Sequence, residues 1–156
     1  MKTLLNKKLL SIPKMQRKGS SRHFSAGVQE ITLIFGIGTD LVDVKKLTTC
    51  LLENKSLKEQ LFTSSEIQYC EARKSREQNY AARLAAKEAF CKALGFDLQQ
   101  DLPFSDIEVR NEENGRPLLF VSGETRETLT RNNISHIHLS ISHIKSLASA
   151  IVILEK

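Results

Sequence analysis

The sequence predicts an α+β fold, an antiparallel sheet packed with one long and several short helices. Two observations carry this. Helical spacing of apolar residues dominates the first half, whereas period-two alternation and turn residues dominate the second. The resulting order, β-α-α-α-β-β-α-β-β, lacks the regular βαβ alternation of a parallel sheet.

Residues 31–39 (ITLIFGIGT) are β-branched and apolar, a buried strand expected to stop at Asp40. From about Val42 to Leu57, Val44, Leu47, Leu51 and Leu52 recur at helical spacing. Thr63 and Glu66 frame a capping box that opens a short helix over 66–73. A long helix is expected from about Arg76 to Leu94, its middle (AARLAAKEA) rich in strong helix formers and Gly95 placed to end it. Residues 104–110 alternate as a half-buried strand, 111–115 supply turn residues and 117–121 return as a hairpin. A helix capped by Ser122 should run to Arg131, followed by an alternating strand over 136–143. A turn at Lys145 and Ser146 then leads to a buried last strand over 147–154.

The 156 residues suit one folded domain preceded by an arm. The net charge of +5 is uneven. Residues 1–29 hold seven Lys/Arg and no acid, whereas the remainder holds sixteen Lys/Arg against eighteen Asp/Glu, net −2. The division expected is therefore a basic extension over 1–30 and the folded domain over 31–156. The arm has the composition of an organellar transit peptide, a disordered tail, or a stretch upstream of a later start such as Met15. The mildly acidic body disfavours a rival reading, a nucleic-acid-binding module using the arm, and no apolar run approaches the roughly 18–20 residues that span a bilayer. Cys50, Cys70 and Cys91 form no CxxC pair, which argues against a disulfide scaffold or zinc ribbon.

Gly36-Ile-Gly38 lacks the third glycine of a dinucleotide fingerprint, since position 41 is leucine. These glycines are expected to admit another backbone, or to give room beside Asp40. Asp40 at a strand end and Glu88 on the long helix could share Mg²⁺; equally, Asp40 could cap the next helix and Glu88 could pair with Lys92. Arg83, Lys87 and Lys92 could neutralise a diphosphate or form an exposed basic face. Arg116, between Gly115 and Pro117, brings a planar fork suited to phosphate or simply to solvent. His136 and His138 share a strand face without a third ligand nearby in sequence, and His143 ends that strand as a ligand contact or a structural histidine.

Residues 34–44, IFGIGTDLVDV, resemble the first signature of the holo-acyl-carrier-protein synthases, the small 4′-phosphopantetheinyl transferases, and residues 82–95, ARLAAKEAFCKALG, resemble their second. Residues 104–117 and 140–154 match the rest in kind and order, so the resemblance spans nearly all of 34–155. It implies the 4′-phosphopantetheinyl transferase fold and transfer of 4′-phosphopantetheine from coenzyme A to a serine of apo-acyl carrier protein. The product besides holo-carrier is adenosine 3′,5′-bisphosphate, and the setting is fatty acid biosynthesis. By matching motif it implies Asp40 and Glu88 as Mg²⁺ ligands and, with Lys92, as the catalytic group. Arg83, Lys87, Lys92, Gly115, Arg116, Pro117 and His143 become coenzyme contacts, with Asp43 or a metal-bound water as base for the serine. Lys45 and Lys46 would dock an acidic carrier protein. A homotrimer with sites at subunit borders is implied, in the cytoplasm, or in an organelle matrix if 1–30 is a transit peptide. Leu84 replaces the family's usual aromatic, and Gly95-Phe-Asp-Leu98 replaces its usual glycine-rich turn. A rival reading is a catalytically silent domain binding carrier protein or nucleotide; the intact Asp40, Glu88 and Lys92 favour the enzyme.

Overall fold

A computed structural model describes residues 33–96 and 102–156; the arm over 1–30 lies outside the described residues. Strand β1 (Ile34–Asp43) leads directly into helix α1 (Val44–Glu53), then α2 (Leu57–Leu61), α3 (Ser64–Glu71) and the long α4 (Arg76–Ala93). A 3₁₀ turn at Phe104–Asp106 opens the hairpin β2 (Ile107–Asn111) and β3 (Pro117–Val121). Helix α5 (Gly123–Arg131) and strands β4 (His136–His143) and β5 (Leu147–Glu155) complete the order. The strands form two antiparallel sheets, β1-β5-β4 and β2-β3. No helix among the described residues is long and apolar enough to cross a membrane.

The expected α+β class and element order hold, although the strand expected over 104–110 begins only at Ile107, after the 3₁₀ turn; three further differences are local. First, β1 does not end at Asp40: its pairing with β5 continues to Asp43 opposite Leu147. The residue that caps α1 is therefore Asp43, whose side chain accepts the Lys46 backbone N–H at 2.9 Å. Second, the single helix expected over 42–57 is two, because the chain turns at Asn54–Ser56, where Asn54 Oδ1 accepts from the Ser56 N–H and hydroxyl. Third, Ser122 stands at the cap position of α5 without capping it. The Asp106 carboxylate instead accepts from the Thr125 N–H and hydroxyl, both at 3.4 Å. The capping box at Thr63 and Glu66 is formed in both directions, and Gly95, at φ 82°, ends α4 in the left-handed conformation.

Helix α4 lies on the inner face of the three-stranded sheet, and the close approach is made by small residues. Ala81, Ala85, Ala86, Ala89 and Ala93 of the helix and Ala148 and Ala150 of β5 are buried. On β1 the contact surface is Gly36 and Gly38. A Cβ built on Gly38 would collide with the Ala89 carbonyl, and one on Gly36 with the Ala93 carbonyl. The expectation that these glycines admit another backbone is met. Gly38→Ala should therefore lower stability by about 1–3 kcal/mol or more in urea unfolding, because backbone must move. Gly95→Ala, with open space around it, should cost only about 1 kcal/mol for its positive φ.

Candidate active site

Period-two alternation on β1 puts Asp40 on the same face as Gly36 and Gly38, beneath α4 and opposite Ala150 of β5. Its carboxylate is only 9% exposed, and its Oδ1 accepts from Lys92 Nζ at 2.5 Å. The other oxygen, Oδ2, is buried with no hydrogen-bond partner. Glu88 stands one turn before Lys92 on the same face of α4. Burial, then the negative charge of Asp40 and a hydrogen bond to it, push the Glu88 carboxyl up to about 7, with Lys92 opposing. Lys92 thus reaches across to the strand, and the simple helical Glu88–Lys92 pair is not the arrangement adopted.

Two carboxylates pressed together over one lysine, with an orphaned buried oxygen between helix and strand, fit a divalent cation. It would relieve their repulsion and give Oδ2 a partner. Among the described residues no cluster of three or more His, Cys, Asp or Glu is arranged to hold a metal ion. A hard cation that keeps positions for water or phosphate oxygens suits a two-carboxylate site; a closed structural zinc does not. His138 bonds Glu155 at 2.7 Å on the opposite face of the sheet.

A second cluster sits around another side of α4. Arg83 is almost fully buried, its guanidinium 4.0 Å from the centre of the Tyr69 ring and its Nη2 donating to Asn111 Oδ1 at 3.0 Å. Its Nε is buried without a partner. Arg83 lines a cavity of about 190 Å³ together with Gly115, Pro117 and His143. Tyr69, Asn79 and Asn111 also line it. Nothing in the sequence singled out these three, because a tyrosine on a short helix and two asparagines carry no spacing signal. Arg116 is exposed at the hairpin tip and does not line this cavity; its backbone N–H donates to Asn114 Oδ1.

Lys87 differs from the expectation that it meets phosphate. Its side chain is fully buried, paired with Glu66 at 2.7 Å and donating to the Leu61 and Phe104 carbonyls at 2.8 and 3.0 Å. All three ammonium donors are taken inside the core, so Lys87 is a structural cation. Asp43, considered as a base, spends Oδ1 on capping α1. Lys45 and Lys46 are exposed at the start of α1. Leu84 is buried in the core, and of Gly95-Phe-Asp-Leu98 only Gly95 and Phe96 lie within the described residues.

Lys87→Met should strand a buried Glu66 carboxylate and lower stability by about 3–5 kcal/mol. Coenzyme affinity of the fraction that remains folded should be little changed. Urea unfolding and ligand titration on the same preparation check both.

Comparison with known proteins identifies the family. Residues 36–152 match the family model of the 4′-phosphopantetheinyl transferase superfamily. The chain is 43% identical over 124 residues to a holo-(acyl-carrier-protein) synthase of Syntrophus aciditrophicus, covering 79% of this chain and 97% of that one. It is 41% identical over 125 residues to one of Geobacter metallireducens, covering 80% and 99%. Among solved structures, the synthase of Neisseria meningitidis superposes with a TM-score of 0.74 at 29% identity, covering 80% and 100%. That of Bacillus anthracis, in complex with coenzyme A (3′,5′-ADP), superposes with a TM-score of 0.65 at 35% identity, covering 78% and 96%.

Proposed function

The chain belongs to the 4′-phosphopantetheinyl transferase superfamily, and from that premise we propose that it is a magnesium-dependent holo-acyl-carrier-protein synthase. It transfers 4′-phosphopantetheine from coenzyme A to a serine of apo-acyl carrier protein, releases adenosine 3′,5′-bisphosphate and serves fatty acid biosynthesis. The observation that carries the reading is the Asp40–Glu88 pair, Asp40 nearly buried and Glu88 half-buried, with Lys92 reaching across to Asp40.

Phosphoryl transfer asks a protein mainly for positioning and charge neutralisation. Asp40 and Glu88 would hold Mg²⁺, which when bound supplies charge neutralisation at the diphosphate. Lys92, its ammonium partly exposed, turns from Asp40 to a phosphate oxygen as negative charge develops. Arg83 and His143, with Gly115 and Pro117, bind the nucleotide end; the free Nε of Arg83 offers a buried donor for an anion. The serine hydroxyl attacks the phosphorus on the pantetheine side, its proton passes to solvent water, and the P–O bond to the adenosine-bearing phosphate breaks with its electron pair staying on the departing adenosine 3′,5′-bisphosphate. Lys45 and Lys46 meet the acidic carrier at the rim.

Helix geometry supports a site completed by a neighbouring copy. Arg83 and Glu88 are five residues apart on α4 and so point about 140° away from each other around its axis. One coenzyme could engage both clusters if each came from a different subunit. The outer face of the three-stranded sheet supports assembly, because Ile37, Leu41 and Ile151 are 61%, 62% and 48% exposed on adjacent strands. The assembly proposed is the homotrimer. Cys50, Cys70 and Cys91 are free thiols, which suits the reducing cytoplasm, or an organelle matrix should residues 1–30 be a transit segment.

Incubation with coenzyme A, Mg²⁺ and an apo-carrier protein should add one phosphopantetheine to the carrier mass; an unchanged mass would refute the reading. Asp40→Asn and Glu88→Gln should each reduce turnover by at least about a hundredfold. Glu88→Gln also removes a carboxyl group pressed against Asp40. Its thermal midpoint without metal should hold or rise, and the stabilisation of wild type by Mg²⁺ should vanish. Separately, Ile37→Asp with Ile151→Asp should give a monomer in sedimentation equilibrium that has lost transfer activity. A fully active trimer would overturn the shared-site assembly.

A further inference from the structure

Along one side of α1 runs a trough that none of the catalytic groups occupies. One part is a cavity of about 840 Å³ where three chain segments meet: the start of α1, the turn before α4 and the turn between β4 and β5. Their convergence has a backbone cause, since the Val44 N–H donates to the Ser146 carbonyl at 2.9 Å and ties α1 to the β4–β5 turn. Each segment contributes one lysine to the lining: Lys45, Lys74 and Lys145. None of the three is ion-paired with a carboxylate among the described residues. The one acid in the lining, Glu77, already bonds Arg76 at 3.0 Å. A local excess of positive charge therefore stands on a body whose total is negative.

The trough continues into a second cavity of about 230 Å³, which shares Thr48 and Glu77 with the first. Here the charges satisfy one another: Glu71 bonds Lys58 at 2.8 Å and the Tyr80 hydroxyl at 2.9 Å, with Arg76 at 3.6 Å. What this end offers a partner is apolar, Leu51 and the 75% exposed Leu52. A cationic end and an apolar end in one trough are complementary to an acidic amphipathic helix.

We infer that Lys74 and Lys145 join Lys45 to form the cationic wall of the carrier-protein docking trough, with Leu52 at its apolar foot. The inference rests on the carrier-protein reading above and extends it to two lysines that lie far from α1 in sequence. Rim charges act mainly on the rate of encounter and are screened by salt, whereas the apolar foot is insensitive to salt.

The test uses the full-length chain, an apo-carrier protein and coenzyme A, with KM measured for each substrate. Lys74→Glu/Lys145→Glu should raise the carrier KM about tenfold at low salt and leave the coenzyme A KM within about twofold. The ratio to wild type should shrink as salt rises, and Lys74→Arg/Lys145→Arg should stay near wild type. A carrier with one helix carboxylate changed to lysine should lose less with the glutamate variant than with wild type. Leu52→Ser should raise the carrier KM equally at all salt concentrations. An unchanged carrier KM overturns the inference. Equal rises in both KM values would also overturn it by assigning the lysines to the coenzyme, and so would altered sedimentation of the variants, by assigning the trough to subunit contact. A wild-type chain that modifies no carrier overturns the function reading itself, a result distinct from active wild type with indifferent variants.

Discussion

The approach of α4 to β1 is the constraint on which the rest depends. Helix and strand can lie this close only because Gly36 and Gly38 present no Cβ to the carbonyls of Ala93 and Ala89. The same strand face continues to Asp40, and the same helix carries Glu88 and Lys92. Packing distance thus becomes electrostatic distance. Burial first, and then the nearness of Asp40, raise the Glu88 carboxyl to about 7, and Lys92 reaches across to Asp40. A wider helix–sheet spacing, as larger side chains would impose, would separate the charges and let water screen them.

The opposite side of α4 is anchored by a different interaction, the buried Glu66–Lys87 pair. Glu66 closes the capping box of α3 through one oxygen, which also meets Lys87, and accepts the Val109 N–H at 2.8 Å through the other. Lys87 ties in the Leu61 and Phe104 carbonyls. One ion pair therefore joins α2, α3, α4 and the β2–β3 hairpin. Burying two charges is expensive, and the pair is sustained because every remaining donor is satisfied. Through the Val109 N–H, the same Glu66 holds strand β2, which ends at Asn111 in the lining of the cavity around Arg83.

Much of the fold was legible in the sequence because it is locally encoded. The capping box at Thr63 and Glu66, the end of α4 at Gly95 and the hairpin returning at Pro117 each follow from neighbouring residues. The differences arose where a distant partner intervened. The β5 strand prolongs β1 to Asp43, and the Asp106 carboxylate takes over the capping of α5. Neither partner lies near in sequence.

Residue types and helical spacing determined the elements, the uneven charge between arm and body, and the facing of Glu88 and Lys92 on one side of α4. Tertiary structure alone decided which charges are buried and what each one meets. Arg83 and Lys87 stand one turn apart with the same sign, yet Lys87 closes a core ion pair while Arg83 keeps a buried donor facing a cavity. Likewise the exposed Lys45 and Lys145 come together because a backbone hydrogen bond ties the β4–β5 turn to the start of α1, and Lys74 joins them from the turn before α4. Coulomb and desolvation energies depend on distance and burial, and a one-dimensional pattern specifies neither for groups far apart along the chain.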